Sequence, residues 1–466
     1  MASALSDRSF GIELECIVRH AEPATSNKRQ YTIVAGHIKS ETNLNIIHPE
    51  DPRYHEYQLG RIKREEWMIT SDPSVGVDNN DFRYSRERQL YPHMSLYTWT
   101  QLWNGAEIVS PILNENNWEE VASILNAIQT PPMGVIHNKS TSTHFHIGIQ
   151  RHSEAPLDAE LGLHDIKRVA AIYYIFETYL NLLCPDHRVN DYCHRTRRSY
   201  FAKRNTQREF CEAIYNLENL TDVHDFINCQ GIIGDKEPIP SRYFGGNFAN
   251  CMQVWQKWTV EFRSHEGTKD SESLESWGKL LLRLFDQATT AGWDYVMYLC
   301  DTSESYNAKK ICGNENDRDL DAWRLWITSM HHLFVMFLAG SAFRDKHLNP
   351  EKPTTLEQYI LSQPQEMTDE EYADINVRRV REEEILLQKL ITYVTARERK
   401  FKPQYERFME GNFEDWSSDH PRETLPSDWV DYPNPSGIVN DHIGRDIPVS
   451  WNRISNVNYS LYPAVG

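Results

Sequence analysis

Three short segments alternate apolar residues with charged or imidazole side chains, and this pattern limits the possible folds more than any other feature of the chain. The segments are FGIELECI (10–17), THFHIGI (143–149) and TVEFRS (259–264), the last followed directly by His265. Successive residues of a β-strand point to opposite sides of a sheet, so each segment would be a strand with one apolar and one polar face. The sequence therefore predicts a sheet that buries one face and collects polar side chains on the other.

The other predicted elements indicate an α+β fold with a largely antiparallel sheet, because strands and helices follow one another without a regular βαβ alternation. Further strands are predicted at 31–38, 66–70 and 105–109. Apolar residues that recur with the period of a helix predict helices at 117–130, 165–184, 271–299, 319–343 and 366–409. In the last helix but one, His331 and His332 are predicted to be buried packing residues.

A change of composition after about residue 348 predicts a division of the chain. Residues 1–348 are expected to form a large α+β domain, and 349–466 a helical and extended C-terminal extension. The range 366–409 is rich in charged residues, and the range from 416 onward is rich in Pro, Asp and Asn. A length of 466 residues is enough for several domains or for one large domain with additions.

The composition argues against some classes of function. A net charge of −18 disfavours binding to nucleic acid or to an anionic membrane surface, because both require a basic surface. The most apolar segment, 325–340, is too short and too polar to span a bilayer, and the first residues lack the pattern of a secretory signal. Eight cysteines without a CxxC pair are typical of reduced thiols, so we expect a cytoplasmic protein.

The predicted strands place many ionisable residues on their polar faces. These residues are Glu13, Glu15, Glu107, His144, His146, Glu261, Arg263 and His265. A solvent-exposed sheet face is the simplest interpretation of any one strand. None of these strands has a lysine on its polar face, however, although lysine is common on solvated faces. The repetition of the pattern in several strands therefore favours a shared site.

About four carboxylates on one surface repel one another and cannot all ionise without compensating charge. Magnesium and manganese ions provide such charge, because both prefer carboxylate oxygens and imidazole adds an acceptable nitrogen ligand. Arg263 is suited to a phosphate, which a planar guanidinium binds through two parallel hydrogen bonds. The residues thus indicate a metal-dependent nucleotide-phosphate site. The chain has no GxxxxGK[ST] or GxGxxG motif, so ATP would bind without a P-loop or a Rossmann turn.

Seven short motifs together resemble those of the amidoligase family, within the carboxylate–amine ligase superfamily that includes glutamine synthetase and glutamate–cysteine ligase. In chain order they are FGIELE, WMITSDPSV, AEIVSPIL, NKSTSTHFHIG, PDHRVNDYC, SRYFGGN and TVEFRSHEGT. The resemblance covers roughly residues 10–277. It implies a curved antiparallel sheet in the domain 1–348, with helices on one face and ATP with two or more Mg²⁺ or Mn²⁺ ions on the concave face. One departure is that Ser140, Thr141, Ser142 and Thr143 stand where the family usually has a Cys-Gly pair before its His-x-His.

The resemblance also implies roles for single residues. The implied metal ligands are Glu13, Glu15, Glu107, His144 and Glu261. His146 and Arg263 would act on phosphate or on the substrate carboxylate as catalytic and cofactor-binding residues. Arg188 and Arg242 are further candidates for binding the cofactor or substrate carboxylate, and so is Asn247. Asp72, with Ser74, would orient a metal-bound water or the amine, although an Asx-type turn explains the same two residues.

The resemblance implies an ATP-dependent ligase that forms an amide bond through an acyl phosphate, from a small-molecule or peptide carboxylate and an amine. The basic range 195–204 would then cover the nucleotide phosphates as a lid, or would be exposed to solvent. Two other functions stay open. One is a metal-dependent amide hydrolase that needs no nucleotide, and the other is a non-catalytic relative that binds a nucleotide or a peptide.

Overall fold

The structure is a computed structural model that describes part of the chain. The described ranges are 8–19, 27–58, 65–77, 103–151, 159–188, 193–233, 237–251, 258–306, 320–340 and 375–409. The predicted tail from residue 416 and the predicted domain boundary at 349 lie outside the described residues.

One large sheet dominates the described part of the chain. Its strands are β1 (Arg8–Arg19), β2 (Ile46–Ile47), β3 (Trp67–Thr70), β4 (Trp103–Val109), β5 (Gly134–Ile136), β6 (Ser142–Arg151), β9 (Gly246–Asn247) and β10 (Thr259–Glu266), while β7 (Cys229–Ile233) and β8 (Glu237–Pro240) form a separate hairpin. The order in the sheet is β2-β3-β4-β1-β6-β10-β9, with β5 also paired to β1. The pairs are antiparallel except for β2 with β3. The predicted α+β class with a largely antiparallel sheet is confirmed.

Helices follow and connect the strands. They are α1 (Asn27–Thr42), α2 (Tyr54–Gln58), α3 (Trp118–Gln129), α4 (Ala159–Leu182), α5 (Gln207–Asn216), α6 (Leu220–Ile227), α7 (Ser271–Thr290), α8 (Trp293–Ser305), α9 (Leu320–Ala339) and α10 (Ile375–Met409). The single helix predicted at 271–299 is wrong, since Ala291 and Gly292 have extended backbone angles and separate α7 from α8.

The strand predicted at 31–38 is also wrong, because this range lies within α1. Tyr31, Val34, Ala35 and Ile38 are all buried, and their spacing of three and four residues matches one face of a helix. The range contains β-branched residues, which favour strands, but burial of this helical stripe against the rest of the core decides its structure.

The apolar face of the sheet packs against α3, α4 and α7. Phe10 of β1 stacks on Trp118 of α3 with 4.7 Å between ring centroids, and Phe262 of β10 lies 5.5 Å from Tyr173 of α4. Gly278 of α7 faces this layer so closely that an added Cβ would overlap the rings of Trp118 and Phe145. Glycine at this position therefore allows α7 to approach the sheet.

Helix α10 packs into the same apolar core. Leu387, Leu390, Ile391 and Val394 are buried and belong to the cluster that also contains the residues of α7 and α9. Their spacing is again that of one helical face. The charged stretch of α10 therefore has a buried apolar side, which joins it to the helices of the preceding chain.

Candidate functional site

The face of the sheet turned away from α3, α4 and α7 carries a line of ionisable side chains, which we call the polar row. Its members are Glu13, Glu15, Glu107, His144, His146, Glu261 and Arg263. The strand register brings them together, since Glu13 pairs with His144 and Glu15 pairs with Glu107. The next strand continues the row, because His146 pairs with Glu261. Residues distant in sequence thus become neighbours on one face.

His144 lies between three carboxylates of the polar row. Its Nδ1 is 3.2 Å from Oε2 of Glu13 and 3.5 Å from Oε1 of Glu261. Its Nε2 is 3.3 Å from Oε1 of Glu15 and 2.8 Å from the hydroxyl of Ser142. The ring is almost fully buried, so these contacts replace those that water would make.

Glu13, His146 and Glu261 form a group in which one donor atom of each residue lies within 4.8 Å of the others. The Nε2 atom of His146 is 3.0 Å from Oε1 of Glu13. Burial by itself raises the pKa of Glu13. The interactions with His146 and His144 outweigh burial, so the pKa of Glu13 lies well below its usual range. A charged carboxylate pair with an imidazole nitrogen is a donor set that suits a hard divalent cation.

Acids outnumber cations at the Glu107 end of the polar row. Burial raises the pKa of Glu107 well above its usual range, and the charges of Glu13, Glu15 and Asp72 raise it further. Asp72 also accepts hydrogen bonds from the backbone nitrogen and the hydroxyl of Ser74, at 2.7 and 2.6 Å. Asp72 therefore makes the Asx-type turn considered above and also contributes negative charge to this end of the row.

Arg263 is buried beside Glu261 and donates to its Oε1 atom. Asn247 of β9 donates to the other oxygen of the same carboxylate at 2.7 Å. Burial raises the pKa of Glu261, but the charges of Arg263 and His146 outweigh this and lower its pKa. The sequence prediction placed Glu261 and Arg263 on one face, and they do share it.

His265 does not lie in the polar row, and the prediction that it shares a face with Glu261 and Arg263 is wrong. The register of β10 against β6 shifts before His265, which pairs with Thr143. A β-bulge adds one residue to a strand and so reverses which side the following residues face. His265 is fully buried, its ring lies 5.3 Å from that of Trp277 in α7, and burial lowers its pKa to about 4.

Two predicted arginines make their contacts elsewhere. Arg188 is buried and donates to the backbone carbonyls of Thr141 and Arg263, at 3.4 and 3.0 Å. Arg242 is exposed, and its guanidinium lies 5.6 Å from the ring centroid of Tyr243. These contacts involve no carboxylate of the polar row. Arg188 instead connects the backbone before β6 to that of β10.

The basic range 195–204 is held to α4 near its start. The buried carboxylate of Glu177 accepts hydrogen bonds from the backbone nitrogens of Thr196 and Arg197. The guanidinium of Arg197 lies 4.6 Å from the ring centroid of Tyr174, also in α4. These contacts give the start of the range a packing role, and the lid stays a prediction.

Sequence reasoning missed two residues that contact the polar row. Ser142 donates to Glu15 and lies next to the ring of His144. It stands two residues before His144 in the same strand, so the alternation was sufficient to place it on the same face. Asn250 lies in a short 3₁₀ turn, and its amide nitrogen is 3.4 Å from Nδ1 of His146. No local pattern indicates this second contact.

A cleft of about 470 Å³ opens beside the Glu107 end of the polar row. Tyr31, Tyr54 and His55 line it together with other residues of 49–58 and Ser71. The Tyr54 hydroxyl is 2.6 Å from that of Thr70, which pairs directly with Glu107. The cleft is therefore separated from the row by little more than one strand.

A family model described as "Putative amidoligase enzyme" matches residues 6–285 of the chain. The matched segment contains every residue of the polar row and those named in the cleft, and it ends within α7. The comparison with curated proteins gave no match. Over the residues that the structure describes, every helix falls short of the length and apolar character that a bilayer crossing requires.

Proposed function

The chain belongs to the amidoligase family, and from this membership we propose that it is an ATP-dependent ligase that joins a carboxylate to an amine. Family membership indicates an amide-forming enzyme with small-molecule or peptide substrates. The ATP dependence, the acyl phosphate and the wider relation to glutamine synthetase and glutamate–cysteine ligase are parts of the proposal. A cytoplasmic location is a further part, supported by the cysteines of the described ranges, which are all free thiols.

The observation that carries this proposal is the group formed by Glu13, His146 and Glu261, with Arg263 beside it. Their donor atoms lie close enough to share one cation. Mg²⁺ or Mn²⁺ fits the donor set, because both prefer carboxylate oxygens and Mn²⁺ accepts an imidazole nitrogen. We therefore place one metal ion at these three residues, which adds His146 to the ligands that the resemblance implied.

We place a second ion at Glu15 and Glu107, where the acids are in excess. The raised pKa of Glu107 reflects burial and the charges of the other acids, and a bound cation would relieve both effects. His144 lies between the two positions and can ligate through one nitrogen while the other contacts a carboxylate. When bound, the ions would neutralise charge on the ATP phosphates.

In the proposed reaction, an oxygen of the substrate carboxylate attacks the γ-phosphorus of ATP, and the bond to the β-phosphate oxygen breaks to release ADP. The amine nitrogen then attacks the acyl carbon, the bond from carbon to the phosphate oxygen breaks, and the amine loses a proton. Arg263 would hold equatorial oxygens of the phosphoryl group in transfer through its planar fork. No nucleophilic side chain is required.

The cleft beside Thr70 offers room for one of the two substrates. We assign Asp72 to orienting the amine, because it lies near both the cleft and Glu107. Burial raises the pKa of Glu107 and that of Tyr31, which lines the cleft, and the charge of Asp72 contributes to both shifts. An acid at this position attracts a protonated amine and can accept its proton before the attack.

The test is an assay for ADP with the full chain, ATP, Mg²⁺ or Mn²⁺ and a pool of acids and amines, with mass spectrometry of the products. The expected result is ADP release that requires both an acid and an amine, and a product whose mass equals their sum less one water. Amide hydrolysis without nucleotide would contradict the proposal in favour of a metal-dependent hydrolase. ATP binding without turnover across a broad pool would favour a non-catalytic relative.

A further inference from the structure

Arg397 of α10 is buried and contacts two neighbouring segments at the end of the sheet. Its Nη1 and Nη2 atoms donate to the two carboxylate oxygens of Glu266, at 2.7 and 2.6 Å. Its Nε atom donates to the backbone carbonyl of Leu183, just after α4, at 2.6 Å. The ring of Phe401 lies 4.7 Å from the guanidinium carbon. A guanidinium fixed in this way holds the Glu266 carboxylate in a defined orientation.

Glu266 is the last residue of β10 and pairs directly with Ser142, the first residue of β6. The β-bulge before His265 separates this pair from the regular part of the β6–β10 ladder. A bulge leaves one residue unpaired and disrupts the ladder locally. Beyond the bulge, β10 pairs with β6 through His265 and Glu266, and the two-pronged contact with Arg397 adds a restraint from outside the sheet.

Ser142 connects this strand end to the polar row. Its hydroxyl donates to Oε2 of Glu15 and lies 2.8 Å from Nε2 of His144. Ser142 is buried, so a shift of its backbone would break these contacts without a replacement from water. Residues that hydrogen-bond to metal ligands set ligand orientation and typically change metal affinity 10–100-fold when they are mutated.

We propose that Arg397 is a positioning residue for the metal site and acts through Glu266 and Ser142. By fixing the end of β10, it fixes the start of β6 and with it the hydroxyl that orients Glu15 and His144. Helix α10 lies beyond residue 285, where the family match ends. A segment outside the matched region thus completes the site of this chain. The inference rests on the proposed function only in assuming that the polar row binds a divalent cation.

The alternative is that Arg397 stabilises the fold and has no specific effect on the site. Glu398, the next residue of α10, provides a matched control. It accepts a hydrogen bond from the Tyr179 hydroxyl at 2.9 Å and lies 3.2 Å from Nδ1 of His331. Both of these partners lie in helices, α4 and α9, and neither contact reaches the sheet. Glu398→Gln therefore weakens the packing of α10 without touching β10.

The experiment is calorimetric titration of the full chain with Mn²⁺ alone, together with melting temperatures. The variants are Arg397→Lys, which keeps the charge and loses the two-pronged contact, Ser142→Ala, the double variant and Glu398→Gln. We expect about a tenfold rise in the Kd for Mn²⁺ with either Arg397→Lys or Ser142→Ala. The double variant should bind Mn²⁺ almost as tightly as Ser142→Ala, because both changes break the same series of contacts. Glu398→Gln should lower the melting temperature and leave the Kd unchanged.

Three results would overturn the inference. They are an unchanged Kd in Arg397→Lys, an equal rise in Kd in Glu398→Gln, and effects of Arg397→Lys and Ser142→Ala that simply add. If Arg397→Lys fails to fold, Glu266→Gln weakens the same pair and takes its place. A parent protein that binds no Mn²⁺ would overturn both the metal site and this inference. Normal Mn²⁺ results without ADP formation would overturn only the proposed ligase reaction.

Discussion

The charged residues at the two ends of β10 differ in how their charges are compensated. At one end Glu266 and Arg397 form a pair of one acid and one guanidinium, joined by two hydrogen bonds. At the other end Glu261 and Arg263 lie in the polar row, which also contains Glu13, Glu15, Glu107, His144 and His146. The first group is balanced within the chain. The second has more acids than permanent cations.

This difference separates a structural ion pair from a ligand site. A buried pair needs a matched partner, and Glu266 has one, so nothing further is required there. Burial and repulsion between acids instead raise the pKa of Glu107 at the far end of the polar row. A cation from solution can relieve that repulsion. Changes in the polar row should therefore impair function, whereas changes at Glu266 should alter stability and reach the site only through positioning.

Glu261→Gln should give the largest effect, because it removes a charged ligand from the Glu13, His146 and Glu261 group. Loss of metal binding removes several kcal/mol of transition-state stabilisation, so ADP formation should fall by about 10³-fold or more. The fold should survive, since glutamine keeps the shape and can still accept from Arg263. ADP release at saturating ATP and a melting curve measure the two quantities.

Glu272→Gln is the matched control for this change, since Glu272 is exposed in the first turn of α7. Its ADP formation should equal that of the parent. If Glu261→Gln and Glu272→Gln behaved alike, the excess of acids in the polar row would have no functional meaning, and the contrast between the two ends of β10 would be lost.

Arg263→Lys should have the next largest effect and should act on catalysis more than on stability. Lysine keeps a positive charge beside Glu261 but cannot make two parallel hydrogen bonds to a phosphoryl group. Loss of one preorganised donor typically costs about 10²–10³ in turnover. The rate of ADP formation and the melting temperature should therefore diverge. Arg208→Lys, at an exposed residue of α5 paired with Asp301, serves as the control and should leave both unchanged.

The sequence predicted the polar row well because a strand alternates its faces locally. Glu13, Glu15 and Glu261 needed only that alternation to be placed on one side of the sheet. The position of His265 was not predictable in this way, because the bulge that reverses it arises from pairing with β6. The strand predicted within α1 was wrong for the same kind of reason. Burial against distant segments outweighed the local preference of the β-branched residues in this range.

Contacts between distant segments could not be predicted from the sequence for a similar reason. Asn250 reaches His146 and Arg397 reaches Glu266 only when the chain has folded, and neither pair has a local signature. Arg188 shows the opposite problem. Its place in a motif suggested substrate binding, whereas its guanidinium contacts the backbone of Thr141 and Arg263. Sequence motifs locate such residues in a site region without giving the atoms that they contact.

The stability that Glu266 contributes at the balanced end of β10 should decrease at acid pH. Burial raises the pKa of Glu266, but His265 and Arg397 lower it to about 2, below its ordinary value of 4.5. A carboxyl with a lowered pKa stabilises the fold above its unfolded pKa, and this stabilisation is lost as the pH falls toward the folded pKa. A drop from 4.5 to about 2 corresponds to about 3 kcal/mol.

Urea unfolding of the parent and of Glu266→Gln, measured from about pH 6 down to about pH 2, tests this response. The difference in free energy of unfolding between the two proteins should be largest above about pH 5 and should shrink by about 3 kcal/mol at the acid limit. His265 interacts electrostatically with Glu266, so the difference between the two proteins includes the response of His265 to the loss of the Glu266 charge. A difference that stays constant with pH would mean that Glu266 and Arg397 do not form a charged pair in solution.

Tyr179→Phe should give the smallest effect. It tests whether a change in the contacts between helices, away from β10, affects the metal site. The Tyr179 hydroxyl is buried between Glu398 and His331, at 2.9 and 2.7 Å, and all three residues lie in helices away from the polar row. Its loss leaves those two residues in contact with each other, so the free energy of unfolding should fall by only about 1 kcal/mol. The affinity for Mn²⁺ should be that of the parent. Tyr298→Phe, at an exposed residue of α8, controls for the loss of a hydroxyl as such. A fall in Mn²⁺ affinity with Tyr179→Phe would show that any weakening of α10 reaches the metal site, and the special role of the Arg397–Glu266 pair at the end of β10 would then be untenable.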